Sequence, residues 1–468
     1  MTQPLPTVVD ADSAAANPPD LMAGRLTPAQ YQAHFADAAP RLSRAQAQLE
    51  AERCLYCFDA PCTTACPTGI DVPSFIRRIA DGNLTGAARG ILLANPLGGT
   101  CARVCPTEVL CEQVCVRNTQ SGQPVAIGRL QRHAADAVMA QPLAKLLPRA
   151  EPSGRRVAVV GAGPAGLACA VVLARLGHDV VLHDARPKAG GLNEYGLATY
   201  KVPDGFAQQE LDWLLGIGGI TLQLGWRLDG VAGLTALRGE FDAVYLAVGL
   251  AGTARLGLNG EFKPGVRDAI DFIAELRQAP SPASVPVGRR VVVIGGGMTA
   301  IDAAVQSKLL GADEVHLVYR RGPEQMGASP AEQDWARHKG VVMHHWLAPD
   351  ALLWAPVADG QPHHVNAVRF ARQTLAGGQL RPTGEHQTFA ADMVLKAIGQ
   401  QLDSALLAGS HLPMLDGRVV ADDDGRTALP GVYAGGDCRL GGRDLTVEAV
   451  QDGKRAALAM HAQFSQTA

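Results

Sequence analysis

Residues 155–177 read RRVAVVGAGPAGLACAVVLARLG, and residues 289–311 read RRVVVIGGGMTAIDAAVQSKLLG. Each copy opens on two arginines, runs through an apolar, mostly β-branched stretch, turns on glycines and enters an alanine-rich helix. Unbroken apolar strands alternating with helices belong to parallel sheets covered on both faces. The repeat predicts an α/β protein with two nested Rossmann-like dinucleotide-binding domains. In the first copy, Gly161, Gly163 and Gly166 follow a strand at 157–160 and open a helix. One glycine suits the tight turn, one the close approach of a pyrophosphate, and one the packing of helix on strand. The next strand, 180–184, ends in Asp184, the acid expected to take ribose hydroxyls. In the second copy Gly295, Gly297 and Ala300 follow a strand at 291–294. Its next strand, 315–319, ends in Arg320 and Arg321 instead of an acid. Guanidinium groups there suit a 2′-phosphate; the alternative is a solvated strand end.

Two dinucleotide sites in one chain suggest a flavin paired with a nicotinamide. The C-terminal segment favours a flavin in the first domain. It predicts a strand at 432–434, a turn at Gly435 and Gly436, and Asp437 beside a polyol such as ribityl. A helix from Thr446 to about 459 would aim its first N–H groups at the flavin pyrimidine edge.

Upstream, eight of the ten cysteines fall between Cys54 and Cys115. Their spacing is Cys54-x2-Cys57-x4-Cys62-x3-Cys66-Pro67, then Cys101-x3-Cys105-Pro106-x4-Cys111-x3-Cys115. A disulfide scaffold is a short chain rich in cysteine throughout, which this is not. Zinc, iron–sulfur clusters and free thiols remain open on spacing alone. Proline after a cysteine in both groups, and redox domains downstream, favour clusters. Cys169 and Cys438 read as buried fillers.

The chain has 468 residues, enough for about three domains. Its organisation is expected as a flexible arm at 1–24, a helical iron–sulfur domain at 25–145, an FAD domain at 154–285 and 395–468, and an inserted NAD(P)H domain at 286–394. Helix-like stretches include 72–91 and 127–139, and a linker at 141–154 carries Pro142, Pro148 and Pro152. With 42 basic and 45 acidic residues the net charge is −3, which gives no electrostatic footing for nucleic acid or a membrane surface. The first basic residue is Arg25, so no secretory n-region is seen. The longest uncharged run, 157–174, contains the glycine turn and reads as strand, turn and helix instead of a membrane span. A cytoplasmic protein is the expectation.

Several runs resemble the N-terminal part of dihydropyrimidine dehydrogenases: RCLYCFDAPCTTACP at 53–67, NPLGGTCARVCPTEVLCEQVC at 95–115 and IGRLQR at 127–132. GAGPAGLACA at 161–170, GGGMTAIDAA at 295–304, YAGGDC at 433–438 and TVEAVQDGKRAA at 446–457 extend the likeness over about 50–465. It is greatest to the separate bacterial subunit that carries FAD and clusters, within a wider family that includes glutamate synthase small subunits. Two details favour the former: five residues, PTEVL, between Cys105 and Cys111, where glutamate synthase small subunits have fewer, and glutamine at 131, where several relatives have glutamate.

The resemblance implies two [4Fe–4S] clusters. One would be held by Cys54, Cys57, Cys62 and Cys115. The other would be held by Cys66, Cys105, Cys111 and the amide oxygen of Gln131, leaving Cys101 free. For FAD it implies the turn Gly161, Ala162, Gly163, Pro164, Ala165 and Gly166, with Asp184, Leu192, Lys201, Leu228, Gly436, Asp437 and Thr446. For the nicotinamide cofactor it implies Gly295, Gly296, Gly297, Met298, Thr299, Arg320, Arg321, Ala397, Ile398 and Gly399. NADPH-using members have a further arginine where this chain has Gly327, and bacterial subunits of this type are NADH-linked despite a similar arginine pair. NAD(P)H is therefore the expectation.

The implied activity is that of an electron-input subunit with no side-chain acid or base. It would form a heterotetramer with an FMN- and cluster-bearing subunit that reduces uracil or thymine. A glutamate synthase small subunit or ferredoxin-linked oxidoreductase is the alternative, and a non-catalytic metal-binding assembly protein the alternative of another class. The inserted domain at 286–394 has no cysteine, which excludes a disulfide relay of the thioredoxin reductase type.

Overall fold

The computed structural model describes residues 20–355 and 364–466. They fall into two compact units, one of 37–194, 201–252 and 401–466, the other of 20–36, 195–200 and 253–400.

The first unit holds a five-stranded parallel sheet in the order Val432–Ala434, Ala243–Leu246, Arg156–Val160, Asp179–Asp184, Ile220–Leu224. Residues 157–160 are buried, as an apolar strand covered on both faces should be. Helix Pro164–Arg175 buries every residue from Ala165 to Ala174 and packs against the 21-residue helix Thr446–Gln466. Gly453 permits that approach. A Cβ there would overlap the Ala165 carbonyl oxygen and lie 3.0 Å from the Cys169 nitrogen. These are the two ends of one helical hydrogen bond.

The cysteine segment folds in the same unit as short helices, including Arg44–Glu52, Val72–Ala80, Leu84–Ala94, Gly98–Val104 and Ile127–Val138. The stretch expected as one helix over 72–91 is two helices. Gly82 takes φ +76°, and the Asn83 side chain accepts from the Gly86 nitrogen at 2.8 Å to start the second helix. The expected linker is packed, with Leu143, Leu146 and Leu147 in the core against helix Pro164–Arg175 and the first sheet.

The second unit repeats the plan with Val342–His345, Glu314–Tyr319, Arg290–Ile294, Met393–Lys396 and Val266–Asp268, all parallel. Strand Val266–Asp268 and helix Ala269–Gln278 draw this unit's boundary earlier than residue 286; no glycine turn marks them in the sequence. A three-stranded antiparallel sheet, Leu347–Trp354, Val365–Ala376 and Gln379–Ala390, is added within it. Of the arm expected at 1–24, residues 1–19 lie outside the described residues. The rest corrects that expectation: Leu21–Met22 pairs antiparallel with Val287–Gly288, and Arg25 Nε donates to the Val287 carbonyl at 3.1 Å. Backbone pairing and one arginine suffice to order a segment whose composition looks loose. Among the described residues no helix is long and apolar enough to cross a membrane.

Candidate functional site

In each parallel sheet the glycine turn follows the central strand, Arg156–Val160 or Arg290–Ile294, whose two neighbours continue the chain on opposite sides, the place where open α/β sheets bind ligands. Gly161 has φ +106°, and a Cβ on it would overlap the Ala247 carbonyl oxygen. Gly295 has φ +151°, and a Cβ there would overlap the Ala397 carbonyl oxygen. The two turns thus share one backbone contact, which is why both sequences need glycine there. A Cβ on Gly166 would strike the Gly161 carbonyl oxygen, so the third glycine brings helix onto strand.

Helices Pro164–Arg175 and Met298–Leu309 both start from glycine, Gly163 and Gly297, with no side-chain cap. Helices Arg44–Glu52 and Pro330–His338 are instead capped by Ser43 and Ser329. First-turn N–H groups not taken by a side-chain cap make a cradle for a phosphate. Pro164 and Met298 lead these helices, and a Cβ on Gly297 would meet nothing within 4 Å.

Around the first turn, Asp184 accepts from the Ala162 nitrogen and the Arg186 nitrogen, each at 2.8 Å. Those bonds hold its carboxylate at the turn with lone pairs left for hydroxyl donors. Gly191 packs against Gly163 and leads into Leu192–Tyr195. Leu228 is buried in the apolar core on one face of the sheet. Lys201 is half-buried. Gly436, at φ +70°, packs against Ala165, and its nitrogen donates to Asp452 at 3.0 Å. Asp437 beside it is a carboxylate pushed up to about 6, first by burial and then by Asp444, with Arg418 opposing. Thr446 starts the long helix, its hydroxyl donating to Asn193 Oδ1 at 3.2 Å.

In the second unit the side of Gly296 abuts the Tyr319 ring. Arg320 and Arg321 are exposed, with no ion pair among the described residues, and they line a cavity of about 400 Å³ with Gln325, Trp346 and Leu375. The Ala397 nitrogen donates to the Ile294 carbonyl at 2.8 Å, Ile398 packs against the core of that sheet, and Gly399 takes φ +115°. Thr299 is half-buried in the first turn of its helix. A Cβ on Gly327 would lie 3.7 Å from Gly297 Cα, so position 327 borders this turn.

None of the ten cysteines is paired in a disulfide. The cysteines of the N-terminal segment lie close enough to raise one another's pKa values. Burial raises the Cys54 pKa, and the Cys115 and Cys57 sulfurs add to that; Cys62 rises to about 11 through burial, Cys54 and Cys115. Cys105 is raised by a hydrogen bond with Cys101, by burial and by Cys111 and Cys66; Cys111 is raised by burial, Glu112, Cys66 and Cys62. Among the described residues no three His, Cys, Asp or Glu side chains converge as one bare ion requires. A tetrahedral zinc draws its sulfurs to within about 3.8 Å of one another. A cubane instead takes each thiolate on a separate iron corner, and clustered thiols are the donors it uses. Gln131 is buried, and its Nε2 donates to the Gly98 carbonyl at 2.7 Å. The amide is thereby oriented with Oε1 as its remaining acceptor. Cys101 is fully buried within the core against helix Pro164–Arg175.

Three functional contacts carry no motif of their own. Glu210 is buried and accepts from the Gly99 nitrogen at 2.8 Å, the Thr100 nitrogen and the Thr100 hydroxyl. Burial raises its pKa against those donors. Asp452 accepts from Gly436 and, in two bonds at 3.0 and 3.1 Å, from Arg439. Lys454 Nζ donates to the carbonyls of Thr68 at 2.7 Å and Ala94 at 2.8 Å. Burial lowers its pKa, and the Cys66 sulfur acts against that. Asp452 and Lys454 both fall in the run QDGKRAA at 451–457, whose residue types carry no signature of these contacts.

Two dinucleotide turns behind a cysteine segment of this pattern define a flavin- and iron–sulfur-dependent NAD(P)H oxidoreductase. Residues 31–143 match the family model described as dihydropyrimidine dehydrogenase domain II, 4Fe-4S cluster, and residues 155–353 and 357–453 match pyridine nucleotide-disulphide oxidoreductase. The chain belongs to the family of FAD- and cluster-carrying dihydropyrimidine dehydrogenase subunits and glutamate synthase small chains. It is 34% identical to the NAD-dependent dihydropyrimidine dehydrogenase subunit PreT of Salmonella typhimurium, over 88% of this chain and 93% of that one. It is 33% identical to the glutamate synthase [NADPH] small chain of Escherichia coli, over 90% and 92%. The thioredoxin reductase of T. acidophilum shares the fold at a TM-score of 0.51, with 22% identity over 66% of this chain and 99% of that one. The cofactors are 4Fe–4S clusters, FAD and NAD(P)H.

Proposed function

We propose that this chain is the electron-input subunit of a cytoplasmic dihydropyrimidine dehydrogenase, joined in a heterotetramer to an FMN- and cluster-bearing subunit that reduces uracil or thymine. The chemistry supplied by the bound cofactors is hydride transfer from NAD(P)H to FAD, then single-electron passage through two 4Fe–4S clusters. The chain's own residues bind and orient. The turn Gly161–Gly166 and its helix N-terminus hold a pyrophosphate, Asp184 takes ribose hydroxyls, and Asp437 faces the ribityl chain. Gly295–Thr299, Arg320, Arg321 and Ala397–Gly399 hold the nicotinamide nucleotide. Cys54, Cys57, Cys62 and Cys115 ligate one cluster, and Cys66, Cys105, Cys111 and Gln131 the other. No side chain acts as acid or base; orientation and ring electrostatics carry the half-reaction.

The observation that carries this reading is that Leu97, Cys101 and Leu110 share one apolar core with Ala162, Ala165 and the helix behind the flavin turn. An electron taken at that turn then meets the cysteine segment without crossing solvent. Support for a protein acceptor comes from apolar side chains left exposed beside the Cys54 group: Leu55, Tyr56, Phe58 (wholly exposed), Val114 and Val116. The test is purification of the chain alone and with the subunit encoded beside it. The chain alone should reduce an artificial dye with NADH or NADPH and leave uracil untouched, and the pair should reduce uracil. Uracil turnover by the chain alone, or none by the pair, overturns the division of labour. A colourless protein returns the non-catalytic metal-binding reading.

A further inference from the structure

Lys454 lies half-buried on the helix Thr446–Gln466, and among the described residues no carboxylate pairs with it. Both of its hydrogen bonds go to backbone carbonyls. The Ala94 carbonyl ends helix Leu84–Ala94, where a cation is favourable, but two neutral oxygens do not offset taking an ammonium out of water. A nearby anion would offset what hydration the half-buried ammonium loses. Its other partner residue, Thr68, is buried, and the Thr68 hydroxyl lies 3.3 Å from the Cys66 sulfur. Once that sulfur is a thiolate it can only accept, so the hydroxyl donates to it. One residue thus offers its carbonyl to the ammonium and its hydroxyl to the sulfur.

We propose that Lys454 and Thr68 act together as positioning residues that raise the reduction potential of the cluster held by Cys66. The inference rests on Cys66 being a cluster ligand. Positive charge and hydrogen bonds to ligand sulfur both favour the reduced, more negative cluster. That cluster thereby becomes the better acceptor, and the helix Thr446–Gln466 supplies the charge that makes it so.

The test is a redox titration of the loaded chain followed by electron paramagnetic resonance, with iron and FAD assayed on the same samples. Lys454→Met and Thr68→Val should each move one cluster's midpoint to lower potential, with Lys454→Met giving the larger shift. Thr68→Ser should restore the wild-type midpoint. The rate of FAD reduction by NADH should stay unchanged in stopped flow, while the fraction of that cluster reduced by NADH falls. If Lys454→Met loses iron, Thr68→Val and its serine rescue decide. Wild-type midpoints in iron-replete Lys454→Met and Thr68→Val reject the tuning; so does a shift to higher potential. Cys66→Ser separates the two levels. If it loses one cluster, the ligand reading stands whatever the midpoints show; if it keeps both, the ligand reading and the tuning fall together.

Discussion

Gly453→Ala adds one methyl group where two helices meet, and the structure fixes where that methyl goes. It would overlap the Ala165 carbonyl oxygen and sit 3.0 Å from both the Ala165 carbonyl carbon and the Cys169 nitrogen. All three are backbone atoms of helix Pro164–Arg175, so no side chain can swing away. The helices must separate by roughly 1 Å, a displacement of the kind that costs about a hundredfold when it reaches a reacting geometry. Overpacking costs about 1–3 kcal/mol, and removing a mid-helix glycine returns about 1 kcal/mol. With a backbone-to-backbone clash the upper end applies, leaving a net loss of about 2 kcal/mol. The movement also displaces Gly436, which Asp452 ties to the same helix, so FAD affinity should fall with stability. Gly239→Ala is the matched control. Gly239 lies exposed in helix Gly230–Glu240, and its added Cβ meets nothing within 4 Å, so this change should stabilise by up to about 1 kcal/mol. Thermal unfolding with flavin absorbance reads both variants. A Gly453→Ala protein with wild-type melting temperature and full flavin would refute the packing argument.

Two further outcomes are expected. Cys101→Ser should retain about eight irons per chain while Gln131→Ala perturbs one cluster; loss of half the iron in Cys101→Ser would reverse the assignment of the eighth ligand. Asp437 has a folded pKa of about 6 against an ordinary 3.8, so its favourable contribution is complete below about pH 4 and is lost as pH rises through 6. In the flavin-stripped chain Asp437→Asn should therefore gain stability over wild type as pH rises from 4 to 7, by about 1–2 kcal/mol once partial exposure is allowed for. An advantage independent of pH would show that the carboxylate is not strained.

The parallel sheets and their turns were legible because local chemistry dictates them. Gly161 and Gly295 press against the backbone at Ala247 and Ala397, contacts that tolerate no side chain, and the apolar strands and alanine-rich helices around them repeat in plain sequence. Asp184 was legible for the same reason, since it ends the strand that follows a glycine turn. What escaped notice depends on partners distant in sequence. Lys454 meets Thr68 and Ala94 across 386 and 360 residues, and both contacts are to backbone carbonyls, which leave no residue-type signature. Glu210 likewise serves backbone nitrogens. The strand Leu21–Met22 is two residues long, too short for any periodicity, and the break at Gly82 hid within a stretch whose apolar spacing continues on both sides. The antiparallel sheet at 347–390 falls inside a pattern that otherwise alternates strand and helix.

The buried Glu210 carboxylate bears on how such proteins are assembled over evolutionary time. A fragment ending near residue 145 would strip the acceptor from the Gly99 and Thr100 nitrogens and bare Leu97, Cys101 and Leu110 to water. The cysteine segment is therefore no cassette to be swapped between redox enzymes like a free ferredoxin. It and the flavin half must be inherited, duplicated and engineered as one indivisible block.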